Sequence, residues 1–501
     1  MNEAAKSDRL DDRRHYPTSA QSAGVSGDDP KGRRSVRDMG KTYFITTYGC
    51  QMNEHDSERL AGMLEAEGYA KAAAPGDASL VLFNTCCIRE NADNKLYGNL
   101  GHMKAIKDVR PDMKLVVGGC LAQKDKAAIQ KRAPWVDVVL GTHNLASLPR
   151  LIEESNSGPA FEILEQTEVF PSALPSRRNS PWHAWVSISI GCNNSCTFCI
   201  VPAVRGKEIS RRLGDIVGEV ENLVDDGVVE VTLLGQNVNS YGRDLDGTPM
   251  FARLLRALDE IEGLERVRFT SPHPKDFRAD TIAAMAECDV VCEHIHLPVQ
   301  AGSDRVLKRM KRAYTRRKYL EKVALVREAI PDVSISTDII VGFPGETESE
   351  FAETLTLVAE ARYDSAYTFQ YSPRPMTEAA DMDGHLPKEV VQERFERLIR
   401  LQDDISLERN VRHVGTTQEV IVEGASKKDA SRLTGRTRHN KLVHFSSDGA
   451  GDGSFRSVRI TGAHAHYLEG ELVEGRSESP RVRRRVSLPL LAAAPLGRAG
   501  C

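Results

Sequence analysis

A predicted strand, Trp185 to Ile190, leads into the segment Cys192-Asn193-Asn194-Ser195-Cys196-Thr197-Phe198-Cys199, which sets three cysteines at the spacing C-x3-C-x2-C. A structural zinc site closes with four ligands and usually contains C-x2-C pairs, so three thiolates do not complete one. A 4Fe-4S cluster held by three thiolates keeps one iron free for an outside ligand. The motif therefore predicts such a cluster, and buried cysteines or a zinc knuckle are the less favoured alternatives.

Further strands of the same kind follow this motif, each ending in Gly, Pro or polar residues. They are Val228 to Leu234, Arg266 to Thr270, His294 to Leu297, Val333 to Val341 and Tyr367 to Tyr371. Six such β-α units over about 220 residues predict a parallel β/α barrel that is incomplete relative to the eight-stranded form. In barrels of this kind the chemistry lies after the carboxyl ends of the strands.

The sequence before the barrel predicts an open, mostly parallel α/β domain. Tyr43 to Thr47 precedes Cys50, Leu80 to Phe83 precedes Cys86, and Leu115 to Val117 precedes Cys120. The carboxyl ends of parallel strands share one edge of a sheet, and ligands bind in the crevice there. We therefore expect these three cysteines to lie close together.

Composition shifts predict the domain boundaries. Residues 1–40 mix charges with Ser, Gly and Pro and have no sustained apolar period, which is typical of a disordered arm. A proline-containing linker separates the N-terminal domain, 41–157, from the barrel, 178–410. Short alternating strands with Gly-rich turns predict a small β-barrel over 413–475, followed by a tail, 476–501.

The overall composition limits the class of protein. A chain of 501 residues is long enough for about three domains. Its net charge of −4 means that any site for a polyanion must be a local patch. The ten cysteines lack the regular spacing of a small secreted disulfide scaffold, which favours a reducing compartment. No apolar run approaches the roughly 20 residues that span a bilayer, and no signal sequence is evident, so we expect a cytoplasmic protein with no membrane partner.

The three-cysteine motif, with Phe198 beside its last cysteine, resembles that of radical S-adenosylmethionine enzymes. Further motifs resemble, more narrowly, the MiaB family of bacterial tRNA methylthiotransferases. They are Asn84-Thr85-Cys86, Arg205-Gly206 with Ser210-Arg211, Gly235 to Gly242, His296 to Gln300, Gly342 to Glu346 and Gly435 to Arg438. The resemblance covers about residues 41–475 and implies an N-terminal methylthiotransferase domain, a radical barrel and a C-terminal TRAM domain. The chain departs from the family at Cys87, where Ser is common, and at Met376, where glycine is usual.

The resemblance implies two 4Fe-4S clusters and S-adenosylmethionine as cofactors. Cys192, Cys196 and Cys199 would hold the cluster that cleaves S-adenosylmethionine, and Cys50, Cys86 and Cys120 would hold an auxiliary cluster. A 5′-deoxyadenosyl radical would then abstract hydrogen from C2 of adenine, and a sulfur on the auxiliary cluster, methylated by another S-adenosylmethionine, would replace it. The implied product is 2-methylthio-N6-dimethylallyladenosine beside the anticodon of tRNA.

Other side chains are candidates for binding. Those expected to contact S-adenosylmethionine are Phe198, Gly235, Gln236, Asp338 and Glu346. Those expected to contact RNA phosphates are Arg436, Arg438 and Lys441, and the basic run Arg305 to Lys318 is a second candidate patch. Tight turns and solvated charged faces are the alternatives. Because adjacent residues of an extended segment point to opposite sides, we expect Cys87 to be a small buried residue that faces away from the cluster.

The expected partners are tRNA, an electron donor such as a flavodoxin-like protein, and an iron–sulfur carrier, and we expect a monomer. A nearer alternative function is methylthiolation of a ribosomal protein aspartate or of threonylcarbamoyl-adenosine. An alternative of another class is a nonenzymatic iron–sulfur protein that binds RNA. The three-cysteine spacing disfavours that alternative, because a structural cluster has no need of an open iron.

Overall fold

The computed structural model of the chain describes residues 40–87, 90–165, 174–447 and 449–473. The predicted disordered arm, apart from Gly40, and the predicted tail lie outside the described residues. The described residues from Lys41 onward form one compact unit, so the boundaries drawn between the three predicted domains remain predictions.

The N-terminal region contains a parallel sheet with helices on both faces. Its elements are β1 (Thr42–Tyr48), α1 (Gln51–Ala66), β2 (Ala70–Lys71), β3 (Leu80–Thr85), α2 (Glu90–Val109), β4 (Lys114–Gly119), α3 (Cys120–Asp125), α4 (Ala128–Arg132), β5 (Val138–Leu140), α5 (Leu148–Glu154) and β6 (Ala160–Glu162). The strand order is β2-β1-β3-β4-β5-β6, and all the pairings are parallel. The predicted open parallel domain is confirmed.

The apolar strands of this sheet are buried on both faces. All six residues of β3 are buried. Val81 and Phe83 belong to one apolar core, and Leu80 and Leu82 belong to the core on the other face. Successive side chains of a strand point to opposite faces, so a continuous apolar strand needs a layer of helices on each side.

The central region follows with alternating strands and helices. Its elements are β7 (His183–Ser187), β8 (Ser189–Ile190), α6 (Val201–Arg205), β9 (Ile209–Ser210), α7 (Leu213–Asp225), β10 (Glu230–Leu234), α8 (Arg243–Asp246), α9 (Phe251–Asp259), β11 (Arg266–Phe269), α10 (Ala279–Glu287), β12 (His294–His296), α11 (Asp304–Arg309), α12 (Arg316–Ala329), β13 (Ser334–Val341), α13 (Glu348–Ala361), β14 (Ser365–Gln370) and α14 (Lys388–Val411).

The central strands form a parallel series in chain order. β7, β10 and β11 make one sheet, and β12, β13 and β14 make a second. An isolated parallel bridge between Val267 and Val291 connects the two. Six parallel strands therefore follow one another in chain order, which confirms the predicted six-stranded barrel, incomplete relative to the eight-stranded form.

The C-terminal region is a small closed barrel. Its strands are β15 (Thr417–Ala425), β16 (Arg432–Thr437), β17 (Leu442–Ser446), β18 (Phe455–Ala463) and β19 (Leu468–Leu472), paired in the order β15-β16-β17-β19-β18. Val420 and Val422 of β15 point into its core with Phe445 and Ile460. No helix among the residues described is long and apolar enough to cross a membrane.

Candidate active site

The Cys192–Cys199 loop lies at the mouth of the central barrel. Its pocket, of about 430 Å³, is lined by Cys192, Asn193, Asn194, Ser195, Cys196, Thr197, Cys199, Pro202, Lys207, Met376, Thr377 and Glu378. Gly191 begins the loop at φ +77°, and a Cβ there would collide with the carbonyl oxygen of Lys207. Glycine is therefore required for this close approach. The loop brings the three predicted ligands of the first cluster to one open pocket.

Hydrogen bonds from several distant segments hold this loop. The Thr197 backbone N–H donates to the carbonyl of Met310 (3.2 Å), and the Ala379 N–H donates to the carbonyl of Thr197 (2.9 Å). Buried Arg312 donates from Nη1 to the sulfur of Cys196 at 3.4 Å. Burial raises the pKa of the Cys199 thiol to about 12. Because metal binding requires thiolates, occupation of this site must displace protons.

The second set of predicted ligands lies at one edge of the N-terminal sheet. The strand register pairs Tyr48 with Thr85 and Thr85 with Gly119. Cys86 and Cys120 directly follow these strand ends, and Cys50 follows Tyr48 by two residues. The register therefore brings the three cysteines together at the carboxyl edge, as the strand pattern predicted.

The thiols at this edge interact in pairs. A hydrogen bond with Cys86 lowers the pKa of Cys50 to about 6. A hydrogen bond with Cys87 lowers the pKa of Cys120 to about 7, and the same contact, with burial, raises the pKa of Cys87. Cys87 is 1 % exposed and packs in an apolar core, which confirms that it is a small buried residue. The expectation that it faces away from the site is wrong, because its thiol contacts Cys120.

A buried cation from the barrel lies beside these cysteines. Arg205, the last residue of α6, forms an ion pair with Asp56 of α1 at 2.7 Å, and both side chains are buried. The positive charge of Arg205 contributes to lowering the pKa of both Cys50 and Cys120. The sequence marked Arg205 only as part of a motif, and nothing in the local pattern of α1 indicated Asp56.

Unsatisfied polar atoms accompany this site. Both ring nitrogens of His55 and of His143 are buried and have no hydrogen-bond partner within the described ranges. Burial of a polar group without a partner is unfavourable, so these ring nitrogens keep an unused capacity for hydrogen bonding. No three His, Cys, Asp or Glu side chains in those ranges converge as a single metal ion requires. Three cysteine donors are the ligand type that a 4Fe-4S cluster uses, so the residues at this edge fit the predicted group.

The predicted S-adenosylmethionine residues fall into two groups. Phe198 packs against the barrel core. Gly235 follows β10, where a Cβ would lie 2.8 Å from Ser189 Oγ, and the neighbouring Gln236 Oε1 is buried without a partner in the described residues. Asp338 Oδ1 lies 3.4 Å from His296 Nε2 and is partly exposed. Gln236 and Asp338 therefore offer polar atoms, whereas Phe198 and Gly235 are packed closely against their neighbours.

Glu346 differs from that group. Its buried carboxylate accepts a hydrogen bond from the Gly342 N–H (2.9 Å) and pairs with Arg394 (3.1 Å). Burial raises its pKa to about 6. These partners give Glu346 a bracing function for the loop after β13, and its predicted contact with S-adenosylmethionine has no support in this geometry.

The predicted RNA contacts have other partners. Arg436 pairs with Glu423, Arg438 pairs with Glu293, and Lys441 pairs with Asp364. The last two pairs join the small barrel to the central barrel. Carboxylates already neutralise these cations, which leaves their predicted contacts with phosphates unsupported. In the run Arg305 to Lys318, four cations are paired in the same way: Arg305 with Glu350, Lys311 with Glu378, Arg316 with Glu360 and Arg317 with Glu321.

Comparison with known proteins agrees with the architecture. Family models match the uncharacterized protein family UPF0004 over residues 42–141, the radical SAM superfamily over 186–358 and the TRAM domain over 411–473. The solved radical S-adenosylmethionine methyltransferase TsrM from Kitasatospora setae has a TM-score of 0.50 at 13 % identity, covering 68 % of this chain and 75 % of that one. At that identity the likeness shows the fold alone.

Sequence relatives are much closer. A tRNA-2-methylthio-N(6)-dimethylallyladenosine synthase from Saccharopolyspora erythraea is 59 % identical over 440 residues, which cover 86 % of this chain and 90 % of the relative. A protein of the same name, numbered 1, from Mycobacterium marinum is 57 % identical, covering 87 % of each chain. The chain therefore belongs to the tRNA-2-methylthio-N(6)-dimethylallyladenosine synthases, the radical S-adenosylmethionine tRNA methylthiotransferases that its motifs predicted.

Proposed function

We propose that this enzyme adds the methylthio group through a division of labour between its two cysteine sites. The observation that carries the proposal is the pair of three-cysteine sites in one compact unit, one lining an open pocket and the other at a buried sheet edge. The relatives' names do not favour the ribosomal-protein, threonylcarbamoyl-adenosine or nonenzymatic alternatives.

Cys192, Cys196 and Cys199 would hold the cluster that binds S-adenosylmethionine. When bound there, a 4Fe-4S cluster with one free iron supplies the radical chemistry that breaks an unactivated aromatic C–H bond, which no side-chain acid or base achieves. The chain's contribution is positional. Thr197 fixes the loop to the Met310 carbonyl, and Arg312 donates a hydrogen bond to the Cys196 sulfur.

Cys50, Cys86 and Cys120 would hold the auxiliary cluster that carries the sulfur. The lowered pKa values of Cys50 and Cys120 favour the thiolates that iron requires. Cys87, with its raised pKa, stays protonated and donates a hydrogen bond to the Cys120 sulfur. We therefore assign Cys86 as the third ligand and Cys87 as the hydrogen-bond donor to the ligand Cys120.

S-adenosylmethionine would lie along the ends of β8, β10 and β13. The backbone at Gly235 passes close to Ser189, which leaves no space for a larger residue there. The buried Gln236 Oε1, which accepts no hydrogen bond within the described residues, suits an amine or hydroxyl, and Asp338 offers a partly exposed carboxylate. Phe198 supports the cysteine loop from the barrel core. Glu346 takes no direct part, and it braces the loop after β13 through Gly342 and Arg394.

The tRNA would be held by lysines other than the paired cations Arg436, Arg438 and Lys441. Lys427 and Lys428 are exposed on the loop after β15, and no hydrogen bond or ion pair engages them within the described part of the chain. Lys207 is exposed on the wall of the cysteine pocket. Small β-barrels commonly bind RNA, and lysines near phosphates add salt-dependent affinity. The electron donor, an iron–sulfur carrier, a monomeric state and a cytoplasmic location remain parts of the proposal.

Anaerobic reconstitution tests the function directly. The enzyme is incubated with S-adenosylmethionine, a reductant and either prenylated or unprenylated tRNA, and the nucleosides are analysed by mass spectrometry. We expect 2-methylthio-N6-dimethylallyladenosine from the prenylated tRNA only. A methylthio group on threonylcarbamoyl-adenosine or on a ribosomal protein, or no product at all, would contradict the proposal.

A matched pair of variants tests the RNA contacts. Lys427→Ala/Lys428→Ala should weaken tRNA binding and flatten the slope of log K against log salt by roughly 0.7 to 0.9 per contact, with no loss of stability. Lys441→Ala should lower the free energy of unfolding by about 1 to 2 kcal/mol, because Asp364 loses one charged hydrogen-bond partner and keeps Arg409. An unchanged salt slope in the first variant would remove Lys427 and Lys428 as phosphate contacts.

A further inference from the structure

The short helix α6 lies between the two cysteine sites. It begins two residues after Cys199 and ends at Arg205. At 1.5 Å rise per residue, its five residues span only about 7 Å. The two sites are therefore connected by very little chain.

The apolar side of α6 packs into the N-terminal region rather than into the barrel core. Ile200 and Val204 belong to the same buried cluster as Cys87 and Cys120. The Thr142 hydroxyl donates to the Val204 carbonyl at 2.6 Å, and α6 also contacts α3, whose first residue is Cys120. This packing fixes the helix against the auxiliary site.

The residues at the end of α6 face both sites. Gly206 ends the helix at φ +70°, a conformation that favours glycine, and its carbonyl accepts a hydrogen bond from the Cys192 N–H at 3.1 Å. One residue earlier, the Arg205 guanidinium reaches Asp56 on α1, the helix that begins just after Cys50. Gly206 thus contacts the backbone of the Cys192 site, and Arg205 pairs with a carboxylate on the helix that follows Cys50.

We infer that Arg205 is a positioning residue for the auxiliary cluster, where its buried cation stabilises the negative charge that three thiolates and an added electron bring. The inference rests on the proposed function, because it takes the auxiliary site to hold a 4Fe-4S cluster. Asp56 is the carboxylate within ion-pair distance of Arg205 among the described residues. In a buried site a cation interacts more strongly than in water, so the guanidinium favours the reduced, more negative cluster.

The midpoint potential of the auxiliary cluster tests this inference. The variant Cys192→Ala/Cys196→Ala/Cys199→Ala should retain only that cluster, and electron paramagnetic resonance follows its redox titration. Arg205→Met in this background should lower the reduced-to-oxidised ratio at a fixed potential by at least about tenfold, equivalent to about 59 mV for a one-electron couple. Arg205→Lys should restore most of the shift. Asp56→Asn should move the potential in the opposite direction, because it removes the compensating anion.

The outcomes separate this inference from the proposed function. A midpoint unchanged in Arg205→Met and in Asp56→Asn, at full cluster content, overturns the inference even if the wild type modifies tRNA. If Arg205→Met fails to fold, a raised potential in Asp56→Asn with a near-parent potential in Arg205→Lys still supports the inference, and an unchanged potential in Asp56→Asn overturns it. Absence of tRNA product from the wild type, with the potentials shifted as expected, overturns the proposed function alone.

Discussion

Cys192, Cys196 and Cys199 line an open pocket, whereas Cys86 and Cys120 are at most 5 % exposed at the edge of the N-terminal sheet, where Cys50 is half-buried. Burial raises the pKa values of Cys192 and Cys199. At the other site, hydrogen bonds between cysteines, with help from Arg205, lower those of Cys50 and Cys120. The open site is suited to admit S-adenosylmethionine and a nucleotide. The site at the sheet edge, which we call the closed site, has two buried cysteines and a buried cation, and is suited to hold a charged cluster in place.

The largest expected effect is the loss of one whole cluster from each of two triple variants. Replacing Cys192, Cys196 and Cys199 by Ala should remove one cluster, and replacing Cys50, Cys86 and Cys120 by Ala should remove the other. Each triple variant should abolish methylthiolation, because neither environment substitutes for the other. Iron and sulfide analysis with Mössbauer spectra checks the partition. Full wild-type iron content in either variant would mean that the ligands are assigned to the wrong site.

Two single-residue variants test which of the adjacent residues Cys86 and Cys87 is the ligand at the closed site. Cys86→Ser should lose the auxiliary cluster, because it removes a ligand. Cys87→Ser should keep cluster content and activity near wild type, because a hydroxyl still donates to the Cys120 sulfur. Iron content and product yield of the two matched variants decide the assignment. The reverse result would place the ligand one residue later.

Thiol labelling of the metal-free chain compares the acidity of Cys50 at the closed site with that of Cys192 in the open pocket. The lowered pKa of Cys50, about 6, means that this group is mostly thiolate above pH 6, so its alkylation rate should level off by about pH 7. The raised pKa of Cys192 means that its rate should still increase above pH 9. Isotope-coded iodoacetamide with peptide mass spectrometry measures both rates. Parallel pH profiles for the two cysteines would contradict the difference in environment.

The smallest expected effect concerns the rim of the open pocket. Met376 lies there at φ +70° and is 60 % exposed. Such a conformation costs a side-chain-bearing residue about 1 kcal/mol. Met376→Gly should therefore raise the free energy of unfolding by up to about that amount, whereas Met376→Ala should not. Equal stability of the two variants in denaturant titrations would show that the turn relaxes without strain.

Much of the fold followed from the sequence, because local patterns determine it. The fully apolar strand β3 required cover on both faces, and parallel strands of similar length brought Cys50, Cys86 and Cys120 to one edge. The C-x3-C-x2-C spacing fixed the open site in the same way. The cysteine spacing and the apolar strands are local patterns, and the parallel strand order then brings together Cys50, Cys86 and Cys120, which are 36 and 34 residues apart in the chain.

The sequence did not show which partners distant in the chain Arg438 and Lys441 would have. Arg438 pairs with Glu293, 145 residues away, and Lys441 pairs with Asp364, 77 residues away. A run of basic residues in the sequence indicates a positive charge, but it does not indicate which carboxylates will pair with that charge in the folded protein. The position of Cys87 failed for a related reason. Alternation along an extended segment predicts that Cys86 and Cys87 point in opposite directions. It does not show that Cys120, which follows the neighbouring strand β4, lies where Cys87 points.

The central claim is that the two sites perform different steps of one reaction. Its most direct test measures 5′-deoxyadenosine and methylthiolated nucleoside together in both triple variants, with prenylated tRNA present. We predict that the Cys50/Cys86/Cys120 variant still forms 5′-deoxyadenosine but no methylthio product. The Cys192/Cys196/Cys199 variant should form neither. Formation of 5′-deoxyadenosine by the second variant, or of methylthio product by the first, would contradict this account.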